Sequence, residues 1–69
     1  MSVARVIEIS ATSEKSFEDA IIQGVSRASD TLRQVKGAWI KEQEVEISDG
    51  KITRYKVNML VTFVLDDSK

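Results

Sequence analysis

The chain has 69 residues, with ten Lys plus Arg against eleven Asp plus Glu, a net charge of −1, and no cysteine or histidine. Those two absences exclude disulfides and thiolate metal sites, and they remove the commonest nitrogen ligand and general base. Charges are spread without a basic block and no apolar run approaches a membrane span, so neither nucleic acid nor a membrane is an expected partner.

Val3 to Ala11 reads as a first strand, rich in β-branched residues. Thr12 or Ser13 is placed to cap the helix that follows, with Glu14 in its first turn. Phe17, Ala20, Ile21, Gly24, Val25, Ala28 and Leu32 then recur at amphipathic-helix spacing, and the helix is expected to end near Gln34. Gly24 sits inside that apolar stripe at a cost of about 1 kcal/mol against alanine, which points to close approach of helix and sheet. Lys36-Gly37 leads into a hairpin, Ala38 to Ser48 and Lys51 to Leu65, joined by Asp49-Gly50. That dipeptide suits a two-residue type I′ turn. Asp66 and Asp67 read as a solubilising tail. The class is α+β: a β-α-β-β order with a three-stranded antiparallel sheet partly wrapping one amphipathic helix. Residues 1–69 read as one domain.

The turn predicts the hairpin register, pairing Ser48 with Lys51 and, without interruption, Gln43 with Lys56 and Trp39 with Leu60. Ala38 and Ile40 then share a face with Val57, Met59, Val61 and Phe63. Trp39, Val45, Ile47, Ile52, Leu60 and Val64 fall on the other. One helix covers one face, so the second must meet another copy, a ligand, or both. Size agrees, because a chain this short buries only about 60% of its unfolded surface and small domains need a staple. With disulfides excluded, association is the remedy left.

The β-α-β-β order, the opening Arg5-Val6-Ile7-Glu8-Ile9 with Thr12-Ser13, and the closing Val61-Thr62-Phe63-Val64-Leu65 resemble a dodecin over nearly the whole chain. The resemblance implies a hollow homododecamer that stores riboflavin, FMN or FAD without catalysis, stacking flavins against a tryptophan on the second strand. Here that tryptophan falls on Gly37, the flavin-contacting glutamine on Lys56, and a common arginine on Glu44. Glu42-Gln43-Glu44 and Asp49-Gly50-Lys51-Ile52-Thr53 look more like a dodecin subgroup described as calcium-binding.

Trp39, one pleat from Gly37, has two readings: a relocated stacking surface for flavin, or an interface anchor. Lys56 and Gln43, as expected cross-strand neighbours, are candidate polar contacts to a flavin, and Lys56 is equally a partner in a surface or interface ion pair with Glu46 or Glu44 of a neighbouring copy. Glu42, Glu44 and Glu46 recur every second residue, about 6.6 Å apart on one face. They are the metal candidates for Ca2+, or simply a solvated face. No nucleophile–base pair can be assembled, which makes an enzyme the least supported class. The lack of cysteine and of a signal peptide fits a cytoplasmic protein.

Overall fold

The computed structural model describes residues 3–65; Asp66 and Asp67 lie outside them. Four elements follow in order: β1 (Ala4–Ser13), α1 (Phe17–Thr31), β2 (Val35–Ser48) and β3 (Lys51–Val64). The three strands form one antiparallel sheet in the order β1-β3-β2. β3 is therefore central, which suits its Val57, Met59 and Val61 run. The expected class and order hold.

The helix is capped three to four residues later than its candidate caps, Ser13 and Thr12. Ser16, in extended conformation, is the N-cap, and its Oγ accepts from the Asp19 amide. Thr12 is still in β1, opposite Lys56, and Ser13 closes that strand opposite Tyr55. The helix also ends earlier, at Thr31: Leu32 turns extended and its amide donates back to the Ala28 carbonyl. Leu32 then packs against the core, and Gln34, at φ 58°, reverses the chain into β2. The resulting 15 residues make a helix of only about 22 Å.

Small residues bring this helix onto the sheet. Ala20, Gly24 and Ala28 are its buried positions, one turn apart, lying over Val57, Met59 and Val61. A Cβ on Gly24 would stand 2.7 Å from Met59 Cε and 3.2 Å from Ala11 Cβ, so the close approach expected from the sequence is real. Phe17 meets Tyr55 edge-on, with ring centroids 5.1 Å apart. Beyond that contact the hairpin has no helix over it, and the molecule is 56 Å long but only 19 Å by 13 Å across.

The turn is as expected, with Asp49 and Gly50 both at positive φ, 52° and 75°. The register beyond it is not continuous. Ile47 faces Ile52 but Glu46 faces Arg54, leaving Thr53 over on β3, where its hydroxyl donates to the Glu46 carbonyl. Further on, Ile40 faces Met59 while Glu42 faces Asn58, leaving Lys41 over on β2. A one-residue slip moves a strand's side chains to the other face. Between the two bulges Val45 therefore faces Tyr55 on the helix side. By alternation Ile47, with Ile52 opposite, lies on that side too, correcting their expected placement away from the helix. The helix stops short of both isoleucines, which stay 64% and 53% exposed.

Candidate functional site

The sheet face away from α1 carries nearly all the candidate side chains, arranged in rows across three strands. The first row is Gly37, Thr62 and Val6; the next is Trp39, Leu60 and Glu8. Trp39 faces Leu60 as the turn predicts and is 76% exposed. A Cβ added to Gly37 would meet nothing within 4 Å, so that end of the face is open. This face combines a broad indole with vacant surface beside it.

Charged rows follow toward the hairpin tip. Glu42 faces Asn58, with Ser10 beyond it; Glu44 faces Lys56, with Thr12 beyond it; Glu46 faces Arg54. The three glutamates share one face, as their spacing requires. Their partners differ in kind. Lys56 Nζ stands 3.9 Å from Glu44 Oε1, and Arg54 stands 3.9 Å from Glu46 Oε1. Among the described residues Glu42 is paired only with a neutral amide, accepting from Asn58 Nδ2 at 2.9 Å. Glu42, Glu44, Lys56 and Asn58 help line a depression of about 300 Å³.

Gln43 also lines this depression but has a different cross-strand partner from the one expected. It faces Val57, not Lys56, so the expected Gln43–Lys56 pair is replaced by Glu44–Lys56. The cause is the Thr53 bulge, which shifts the register by one residue over this stretch. Lys56 itself adopts the ion-pair role within its own chain.

Two partners were invisible to sequence reasoning. Asn58 was signalled only by being polar between Val57 and Met59. Lys41, the residue left over at the second bulge, reaches across β3 to Glu8, with Nζ 3.2 Å from Oε2. Alternation from Trp39 puts Lys41 on the outer face, but only the strand order, with β1 beyond β3, brings it to a residue 33 positions away.

Among the described residues, no three carboxylates come together closely enough to hold a metal ion. A cation site using these glutamates is therefore incomplete in one protomer. No described helix is long and apolar enough to cross a membrane. At the opposite end of the helix–sheet junction, Ser13 Oγ donates to Asp19 Oδ2 at 2.6 Å, and Gln23 Nε2 donates to the same oxygen at 2.6 Å. These two bonds, helped by Lys15, hold the Asp19 carboxyl below its usual range. The cluster belongs to helix capping and not to the outer face.

Known proteins share this architecture. Residues 3–66 match the family model described as Dodecin. The calcium dodecin of Mycobacterium tuberculosis is 41% identical over 64 residues, covering 91% of this chain and 89% of that protein. A crystal structure of calcium dodecin from the same organism, described as a calcium-chelating antigen with a novel calcium-binding site, superposes with TM-score 0.81 at 35% identity, covering 99% and 97% of the two chains. The dodecin of Streptomyces davaonensis superposes with TM-score 0.90, also at 35% identity, covering 96% and 97%. The chain, with its one helix over a three-stranded β1-β3-β2 sheet, belongs to the dodecin family.

Proposed function

We propose that this protein is a self-associating binding dodecin without catalytic activity, and that its cargo is a divalent cation of the calcium class. The observation that carries this reading is Glu42: an exposed carboxylate on the outer face whose only partner among the described residues is a neutral amide. Glu44 and Glu46 are each opposed by a cation, so Glu42 offers the least compensated charge to an incoming ion. Calcium takes about six to eight oxygen ligands, and one strand cannot supply them. Glu42 side chains from several copies meeting at a symmetry axis, with Asn58 and Ser10 oxygens beside them, fit that chemistry. The kinship with a calcium-binding dodecin supports the same cargo.

The need for association comes from the protomer's own surface. Its fully buried large side chains among the described residues are Met59, Val57 and Val61, a small core for a chain of this size. Trp39, Val6, Ile47 and Ile52 remain exposed. Copies of the same chain are the partner that removes this surface from water.

The test is thermal melting and calorimetric titration of the assembled protein with CaCl2. Calcium at 100 times Kd stabilises each occupied site by about 2.7 kcal/mol. Glu42→Gln is expected to abolish the shift, while Glu46→Gln preserves most of it. Unchanged calcium binding in Glu42→Gln would remove this residue from the site.

One observation favours a second reading, flavin sequestration. Trp39 presents its indole to solvent beside the open surface at Gly37, where a flat ring of FMN, FAD or riboflavin has room to stack. Quenching of added FMN fluorescence that is lost in Trp39→Ala is the signature of this alternative.

A further inference from the structure

Between the row of Trp39 and the row of Glu46, the outer face carries the carboxylates Glu8, Glu42, Glu44 and Glu46 and the cations Lys41, Arg54 and Lys56. Among the described residues these cations pair one to one with Glu8, Glu46 and Glu44, and Glu42 is left over. Arg54 and Lys56 stand directly opposite the glutamates they hold. Lys41 does not take the carboxylate nearest to it in the chain. It is the residue left over at the second bulge, and Glu42 follows it. A bulge re-aims a side chain, and here both residues lie on the outer face, Glu42 against Asn58 and Lys41 against Glu8. The ammonium reaches past its neighbour to β1, where Nζ lies 3.4 Å and 3.2 Å from the two Glu8 oxygens.

We infer that Glu8 is a positioning residue for the cation site: by holding the Lys41 ammonium on β1, it keeps Glu42 open to an ion. This role rests on the calcium reading above and names the residue that decides which carboxylate is left uncompensated. Competition is the mechanism. A lysine head is a compact, mobile point charge with three donors. Without a partner on β1, the carboxylate beside it that faces no cation is Glu42. A Glu42 so paired must shed the ammonium before it takes a divalent ion, so affinity falls by the strength of that pair. The Lys41 and Glu8 side chains are each 48% exposed, so the competing contact is a solvated one. A solvated contact of this kind corresponds to about a fivefold loss. Glu8 therefore acts on the ion from the far side of β3, without touching it.

The assembled protein is titrated with CaCl2 by calorimetry at low ionic strength, where surface charges are least screened. Glu8→Gln is expected to bind calcium about fivefold more weakly than the native chain. In a Lys41→Met background the same substitution should cost less than about twofold, because only a distant, screened charge is then removed. Lys41→Met alone should bind at least as tightly as the native chain. Melting in EDTA should change little in all three variants, since exposed pairs contribute little to stability. Equal losses in the two backgrounds, or weaker binding in Lys41→Met, would overturn the role of Glu8. So would calcium binding that Glu42→Gln abolishes and Glu8→Gln leaves untouched, and each of these results leaves the calcium reading in place. A native protein that takes up no calcium, or a Glu42→Gln variant that binds it as the native chain does, overturns both.

Discussion

Gly24 on the helix sits directly over Met59 on the central strand, so close that a methyl group on the glycine would stand 2.7 Å from the methionine Cε. The contact is made by the two middle members of facing stripes: Ala20, Gly24 and Ala28 above, Val57, Met59 and Val61 below. The helix rests on the sheet at the distance its smallest residue permits.

Gly24→Ala should therefore destabilise the protein despite improving helix propensity. Propensity favours alanine by about 1 kcal/mol, whereas overpacking costs about 1–3 kcal/mol. The Met59 terminus is flexible, but the side chain is fully buried, and Ala11 Cβ at 3.2 Å closes the other direction. A net loss of about 1 kcal/mol is expected by denaturant unfolding. Shortening the partner should relieve the clash, so Gly24→Ala should cost less in a Met59→Val background than in the native one. Equal costs in the two backgrounds would show that the helix lifts instead.

Acid should weaken the helix start through Asp19. Hydrogen bonds from Ser13 and Gln23 hold its folded pKa below the ordinary carboxylate value. A depressed carboxyl contributes stability that is fully present above the unfolded pKa and lost as pH falls through the lower, folded value. Asp19→Asn is thus expected to be less stable than the native chain near pH 7, with the gap closing as pH falls below the ordinary carboxylate range. A gap independent of pH would assign the loss to the amide's geometry and not to charge.

The elements, the I′ turn and the Gly24 approach were all legible in the sequence because each rests on local chemistry or on periodicity. The Trp39–Leu60 pairing was also legible, though for a fortuitous reason. Thr53 adds a residue to β3 and Lys41 adds one to β2, so the two slips cancel before the register reaches Trp39. From the turn to Lys41 strict alternation counted back from Trp39 misleads, placing Gln43, Val45, Ile47 and Ile52 on the outer face. Neither bulge position is a glycine, so nothing local marks them. The partners of the glutamates depend wholly on this shifted stretch.

Lys56→Gln should leave stability nearly unchanged while strengthening calcium binding. Its pair with Glu44, at 3.9 Å and largely solvated, contributes less than about 1 kcal/mol. Removing the ammonium, however, frees Glu44 and removes a repulsion on a doubly charged ion one row from Glu42. At solvent dielectric that repulsion is about 1 kcal/mol, so affinity should rise several-fold, up to about tenfold. Titration calorimetry measures the change. Weaker calcium binding in Lys56→Gln would place the ion away from this face.

Gly37→Trp tests whether the outer face retains a flavin socket that lacks only its ring. An added Cβ meets nothing within 4 Å and Gly37 has no positive φ, so the backbone and its immediate surroundings accept a side chain there. Tryptophan is also a far better strand residue than glycine, with a propensity scale spanning about 1 kcal/mol. The protomer should fold at least as well as the native chain. If Lys56, Thr62 and the neighbouring copies leave the stacking volume free, FMN fluorescence is expected to be quenched by the variant well beyond the native protein. Quenching equal to the native level would show that Glu44 and Lys56, held together across the strands, have closed the polar half of that socket as well.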